Sequence, residues 1–139
     1  MLRNVLVVVG AAVVCTVVIS LVQAVGHNLF PPPPGMDVND PASIAAHLAQ
    51  IPLGALLMVE AAYAAGSLGA GWVVGRFAAG RPYRLAGGVG ALFTALNVWN
   101  LVQIPHPLWM AVLTMVTFIP LALLGARLAL RPAPAAPAA

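Results

Sequence analysis

One carboxyl group stands inside an apolar stretch long enough to cross a bilayer: Glu60, with Leu56-Leu57-Met58-Val59 before it and Ala61-Ala62 after it. A charged side chain at the centre of a membrane costs roughly 2.5–3.5 kcal/mol even on insertion scales, so such a carboxyl is read first as one that binds a ligand or carries a proton. Tyr63 and Ser67 follow at i+3 and i+7 and share its helix face. A second polar stripe, Thr16, Ser20, Gln23 and His27, is spaced i, i+4, i+7, i+11, which at 100° per residue keeps the four within about 60° of one another. A third consists of Asn97 and Asn100, with Gln103 rotated one step further. An unsatisfied polar group costs several kcal/mol in hydrocarbon, so the three stripes are expected to turn toward one another. Glu60, Tyr63, Asn97, Asn100, Gln23, Ser20 and Thr16 are therefore the candidate ligand-binding or proton-carrying residues. The plainer role for the hydroxyls and amides is hydrogen bonding between helices, worth about 0.6 kcal/mol apiece. For Glu60 it is a carboxyl bonded to Asn97 or Tyr63.

The histidines offer a different chemistry. His27, His47 and His106 map to the same boundary of the apolar segments and, with Asp37 and Asp40, are candidate metal ligands. They lack local ligand spacing such as His-x-x-x-His, and histidines beside Phe30 and Trp109 also suit the headgroup zone without any metal. The sequence requires no cofactor. It contains no nucleophile elbow, phosphate loop, Cys-x-x-Cys or zinc-protease pattern. Its single cysteine, Cys15, excludes an internal disulfide.

The elements that must position these groups follow from composition and punctuation. With 62% hydrophobic and 6% charged residues and a mean hydropathy of +1.00, the chain has too little polar surface to cover a water-soluble globule. Lipid is its solvent. Apolar runs predict four membrane spans at about 6–25, 51–74, 85–104 and 108–126, each of roughly 20 residues, the length that crosses a hydrocarbon core of about 30 Å. Val22-Gln23-Ala24 offers a signal-peptide reading of the first run, but that run exceeds the usual apolar core of about 7–15 residues.

Between the first two spans lies an outer loop, 26–50. Pro31-Pro32-Pro33-Pro34 favours a polyproline II rod of roughly 12 Å, and Gly35 permits a turn after it. Asp40-Pro41 is a helix-start signature that predicts a short outer helix carrying His47, and Pro52 marks a break before the second span. The Pro105-His106-Pro107 connection is so short that spans three and four must be antiparallel neighbours.

Basic charge then orients the bundle. Arg3, the group Arg76, Arg81 and Arg84, and the pair Arg127 and Arg131 occupy the N-terminus, the second connection and the C-terminal end, while the loops between lack Lys and Arg. Cytoplasmic loops collect these residues, so both termini are expected inside. The net charge of +3 is divided among three short ends and forms no contiguous basic face, which argues against nucleic acid as a partner. The expected partners are the lipid bilayer and, because four helices enclose little volume, a second copy or a membrane partner subunit. Residues 132–139, rich in Ala and Pro, are expected to be a disordered cytoplasmic tail. Glycines cluster in the inner halves of spans two and three, and Gly71-x-x-x-Gly75 lets helix backbones approach closely. The expectation is an all-α bundle sealed at its cytoplasmic end and polar inside toward the outer face, with Glu60, about 13 Å below Ile51, at the floor of that outer pocket near the midplane.

A weak internal duplication runs through the chain. Leu21-Val22-Gln23 and Leu101-Val102-Gln103 end the first and third spans, Pro-Leu opens the second and fourth, and Leu-Gly-Ala recurs at 68–70 and 124–126. Two like-oriented helical hairpins would be related by an axis along the membrane normal.

His27-Asn28-Leu29-Phe30 running into four prolines and Gly35, and Ile104-Pro105-His106-Pro107-Leu108-Trp109 later, carry a further likeness. Over nearly its whole length the chain resembles a type of small uncharacterised bacterial four-helix integral membrane protein. That resemblance implies a bacterial inner-membrane location and no activity. Small multidrug exporters also have four helices and a membrane glutamate, but theirs lies in the first helix and this one in the second. The sequence points to a non-enzymatic subunit or small-ligand-binding protein with an outward-facing polar pocket. The alternatives are a proton-coupled transporter or channel component using Glu60, and a membrane enzyme acting on lipid or quinone through His27, His106 and Glu60.

Overall fold

The computed structural model describes residues 1–130 and, within them, consists of helices joined by loops. Arg131 and the tail expected over 132–139 lie outside the described residues. Four long helices, α1 (Leu2–Leu29), α3 (Leu53–Phe77), α4 (Pro82–Gln103) and α5 (Leu108–Ala129), are each long and apolar enough to cross a membrane, and α2 (Pro41–His47) is a short helix in the first loop. The chain is thus an all-α, multi-pass membrane protein built as a four-helix bundle.

Proline and capping chemistry set the ends of these helices. α1 runs further than the expected 6–25 at both ends because nothing breaks it before the Pro31–Pro34 run, and its first turn is tied down by side chains. Asp40 caps α2 by accepting from the backbone N–H groups of Ala42 (3.0 Å) and Ser43 (3.3 Å), with Pro41 in the first turn. After a single 3₁₀ turn at Leu48–Gln50, Pro52 stands as the N-cap of α3, and Pro107 does the same for α5. The tight α3–α4 turn is made by Gly80 (φ 72°) and Arg81 (φ 51°), both left-handed, before Pro82 starts α4.

The helices pack in the order α1–α3–α5–α4, with the most extensive contact between α3 and α5. Two hairpins oriented alike and packed through their second helices produce this order. α3 and α5 run parallel and approach to backbone contact. A Cβ on Gly71 would overlap the Ala122 carbonyl, one on Gly75 would lie 2.5 Å from Ala126 O, and one on Gly125 would overlap Leu68 O. Close approach through small residues is how membrane helices gain van der Waals contact where no hydrophobic force separates helix from lipid. On the other side of α3, Gly66 admits α1 at Cys15 and Ile19, where a Cβ would lie 3.1 Å from Cys15 Sγ and 2.8 Å from Ile19 Cγ1.

One end of the bundle is fastened by polar contacts. Asn4 Nδ2 donates to Ala79 O (3.2 Å), Ala79 N–H donates to Asn4 Oδ1 (2.9 Å), and Arg3 Nε donates to Phe77 O (3.0 Å). These bonds place the N-terminus against the α3–α4 turn. Arg3, Arg76, Arg81, Arg84 and Arg127 all lie at this end of the bundle, and among the described residues no Lys or Arg lies at the other.

Candidate functional site

The polar residues of the interior do not form one converging pocket. They divide into a buried layer between helices and an open cavity above and beside it.

The buried layer is built where α3, α4 and α5 meet. Glu60 is 7% exposed, Asn97 6% and Thr114 1%. Counted from the helix ends opposite the arginines, at Leu53, Gln103 and Leu108, the three lie six or seven residues deep, roughly 9–10 Å at 1.5 Å per residue. Glu60 is therefore in the first third of α3, short of that helix's midpoint, because α3 begins two residues later than Ile51 and continues to Phe77. The Thr114 hydroxyl donates to Glu60 Oε1 across the α3–α5 contact, and the same hydroxyl lies 2.7 Å from Met110 O one turn back. One hydroxyl proton thus faces two acceptors. Neither Asn97 nor Tyr63, the partners expected from sequence, bonds the carboxyl. Glu60 Oε2 and Asn97 Nδ2 are both buried without a hydrogen-bond partner among the described residues.

Beneath this layer the core is apolar and aromatic. Tyr63 meets Phe118 with ring centroids 5.3 Å apart, and Phe118 stacks on Phe93 at 5.9 Å. Such pairs add about 0.5–1.5 kcal/mol beyond their buried area, so Tyr63 is held by its ring while its hydroxyl forms no bond within the described residues.

The cavity has a volume of about 270 Å³ and opens at the end of the bundle opposite the arginines. Its walls are the end of α1 (Gln23, Gly26, His27), the first turns of α3 (Ala55, Leu56, Met58, Val59, Tyr63), the end of α4 (Asn100, Ile104) and the Pro105-His106 turn above Met110. Phe30, Pro31, Pro32, Pro33 and Met36 of the loop, with Ile44 and Leu48 around α2, cover it. The Phe30 ring lies over Gly54, where a Cβ would overlap it, and this seats the proline run across the top of α3. Two glycines therefore shape the wall. Gly26 admits Met58, whose Cβ would be 3.1 Å from an added Cβ.

Five polar side chains line this cavity, Gln23, His27, Tyr63, Asn100 and His106, and none of them bonds another side chain among the described residues. The two histidines use only Nδ1, to Gln23 O (2.9 Å) and Ile104 O (2.6 Å) of their own backbones.

Several sequence expectations are corrected. Thr16 and Ser20 are exposed on the surface of α1 and do not join the interior. α1 buries Val7, Ala11, Cys15 and Gly26 instead, because close packing on Gly66 selects the side with small residues. Thr16 can be outside because its hydroxyl donates to its own helix, to Ala12 O (3.1 Å), as do those of Thr94 to Gly90 O (2.9 Å) and of the buried Thr117 to Leu113 O (2.8 Å) and Ser67 to Tyr63 O (2.7 Å). Gln103 is exposed as well. Glu60 and Asn97 flank the cavity without lining it, so Glu60 is not its floor.

The metal reading from His27, His47 and His106 with Asp37 and Asp40 also fails. Among the described residues no three His, Cys, Asp or Glu side chains come together to hold an ion. His47 turns back on Ser43 O (2.8 Å), and Asp37 and Asp40 are consumed by local loop and cap bonds to Asn39, Ala42 and Ser43. Thr114 is the residue that sequence reasoning missed.

No family model, curated protein or solved structure matches the chain.

Proposed function

We propose that this is a small-ligand-binding protein of the bacterial inner membrane, non-enzymatic, with both termini cytoplasmic and the cavity open on the outer face. The observation that carries the binding reading is the set of five polar side chains with no side-chain partners around an otherwise apolar cavity of about 270 Å³. Ligand pockets are mostly apolar with a few polar groups that fix orientation, and this cavity has that composition. The orientation rests on the five arginines at the opposite end.

A role for Glu60 in proton coupling is the second reading, supported by the unpartnered Oε2 beside unpartnered Asn97 Nδ2. Intramembrane carboxyls occur in proton relays, among other functional sites. Its Oε1 is engaged by Thr114 and it does not reach the cavity wall, which favours the binding reading.

Native mass spectrometry of the protein released from its own membrane tests the proposal. A bound small molecule should appear on the wild type and disappear in Ala55→Trp, whose indole fills the cavity. A wild-type spectrum free of adduct, or an adduct equally present on Ala55→Trp, contradicts it.

A further inference from the structure

The two histidines that line the cavity are fixed in one tautomer, and this selects the kind of group that can bind between them. His27 Nδ1 lies 2.9 Å from Gln23 O and His106 Nδ1 lies 2.6 Å from Ile104 O. A carbonyl oxygen has no proton to give, so in each neutral ring Nδ1 carries the hydrogen and Nε2 carries the lone pair. Neither Nε2 has a partner among the described residues, and neither is among the buried unpartnered atoms. The cavity therefore presents two hydrogen-bond acceptors, one on the last turns of α1 and one on the α4–α5 turn. Tyr63 adds a hydroxyl able to give or receive, held in place by Phe118.

The rest of the wall is apolar: Leu56, Met58, Ile104 and Met110 at the sides, Phe30 and the prolines above. Among the described residues no Lys or Arg lies at this end of the bundle to hold an anion. From these facts, and on the binding reading above, we infer that the cavity takes a small uncharged amphiphile bearing a hydroxyl, a phenol or alcohol, whose O–H donates to His27 or His106 Nε2 while its apolar body lies against Met58, Ile104 and Met110. A ligand that offers only acceptors makes no bond to either imidazole lone pair, whereas a hydroxyl gains one, and sites built to bond a hydroxyl discriminate against analogues lacking one.

The experiment compares 4-butylphenol with 4-butylanisole, its methyl ether, for binding to the purified protein in lipid nanodiscs, measured by equilibrium dialysis against empty nanodiscs. The two probes share the butylphenyl body, and the ether has a methyl in place of the hydroxyl proton, so the loss of preference in the histidine variants separates hydrogen bonding from the difference in size. The ether is the more lipophilic, so simple partition into lipid favours it and cannot produce a preference for the phenol. The expected result is saturable binding of the phenol at least ten-fold tighter than of the ether, with that ratio falling toward one in His106→Phe or His27→Phe. The milder His106→Gln, which keeps an acceptor oxygen, should retain part of the preference and serves if the phenylalanine variants do not fold. Equal saturable binding of both probes overturns the inference and leaves the cavity reading standing. A phenol preference that survives both phenylalanine variants also overturns it. Saturable binding of neither probe overturns the cavity reading together with the inference.

Discussion

The Thr114 hydroxyl donates to Glu60 Oε1 across the parallel contact of α3 and α5, and the two residues are the only side chains that bond each other between spans among the described residues. Glu60 is the one acidic residue in any span, and Thr114 is 1% exposed. The bond therefore sits where water cannot replace it. Glu60 Oε2 already lacks a partner, so loss of Thr114 would strip the carboxyl of its remaining one.

Thr114→Val should destabilise the bundle by about 1–3 kcal/mol, the cost of a buried polar group left unsatisfied. Glu60→Gln should cost less, because an amide donates to Thr114 Oγ1 and frees the hydroxyl proton for Met110 O. The double variant Glu60→Leu with Thr114→Val should be closer to wild type than Thr114→Val alone, since both partners are then removed together. Unfolding in mixed micelles with increasing denaturing detergent measures all three, and simple additivity would show that the pair is not coupled.

Gly71→Ala and Gly125→Ala should each cost about 1–3 kcal/mol or prevent folding, because the new methyl meets a carbonyl of the facing helix and backbone cannot move aside. Gly88 has nothing within 4 Å of its Cβ position, so Gly88→Ala should be neutral or stabilise by up to about 1 kcal/mol through helix propensity. Thermal melting in detergent separates the two classes.

Asn4→Leu removes both bonds to the Ala79 backbone and should loosen the attachment of α1 to the α3–α4 turn. Hydrogen exchange at the first turns of α1 should rise several-fold while exchange in the middle of α3 stays as it was. A uniform rise across the bundle would show instead that this clamp holds the whole fold.

Thr16→Val and Ser20→Ala should change stability by less than about 0.5 kcal/mol and leave ligand binding intact, since both residues face away from the interior. Loss of binding in either variant, by the nanodisc dialysis described above, would place α1 the other way round.

Much of the architecture was legible because hydropathy and proline act locally. The four spans, the Asp40-Pro41 cap, the break at Pro52 and the Pro105–Pro107 turn need no knowledge of what packs on what. Burial of Glu60 followed from the cost of a carboxyl in lipid. The buried face of α1 was not legible from polarity: periodicity gathers Thr16, Ser20 and His27 into a stripe, but a hydroxyl bonded to its own helix has no need of the interior. Size decided the matter: α1 buries Ala11 and Cys15, and Cys15 packs directly on Gly66. Thr114 escaped notice for a related reason. A lone threonine in an apolar helix looks self-satisfied, as Thr117 is, and only the register of α5 on α3 brings it to Glu60.

Ligand binding from the outer face requires a cavity that is open and faces outward, and cysteine accessibility at Ala55 measures both properties at once. Ala55 lines the cavity, whereas native Cys15 and Ala70 are buried, 0% and 1% exposed, and supply unreactive references. In intact cells a membrane-impermeant thiol reagent should modify Ala55→Cys rapidly and leave the wild type and Ala70→Cys unmodified. An Ala55→Cys variant that stays inert, or that reacts only after the inner face is exposed, would contradict the cavity or its orientation.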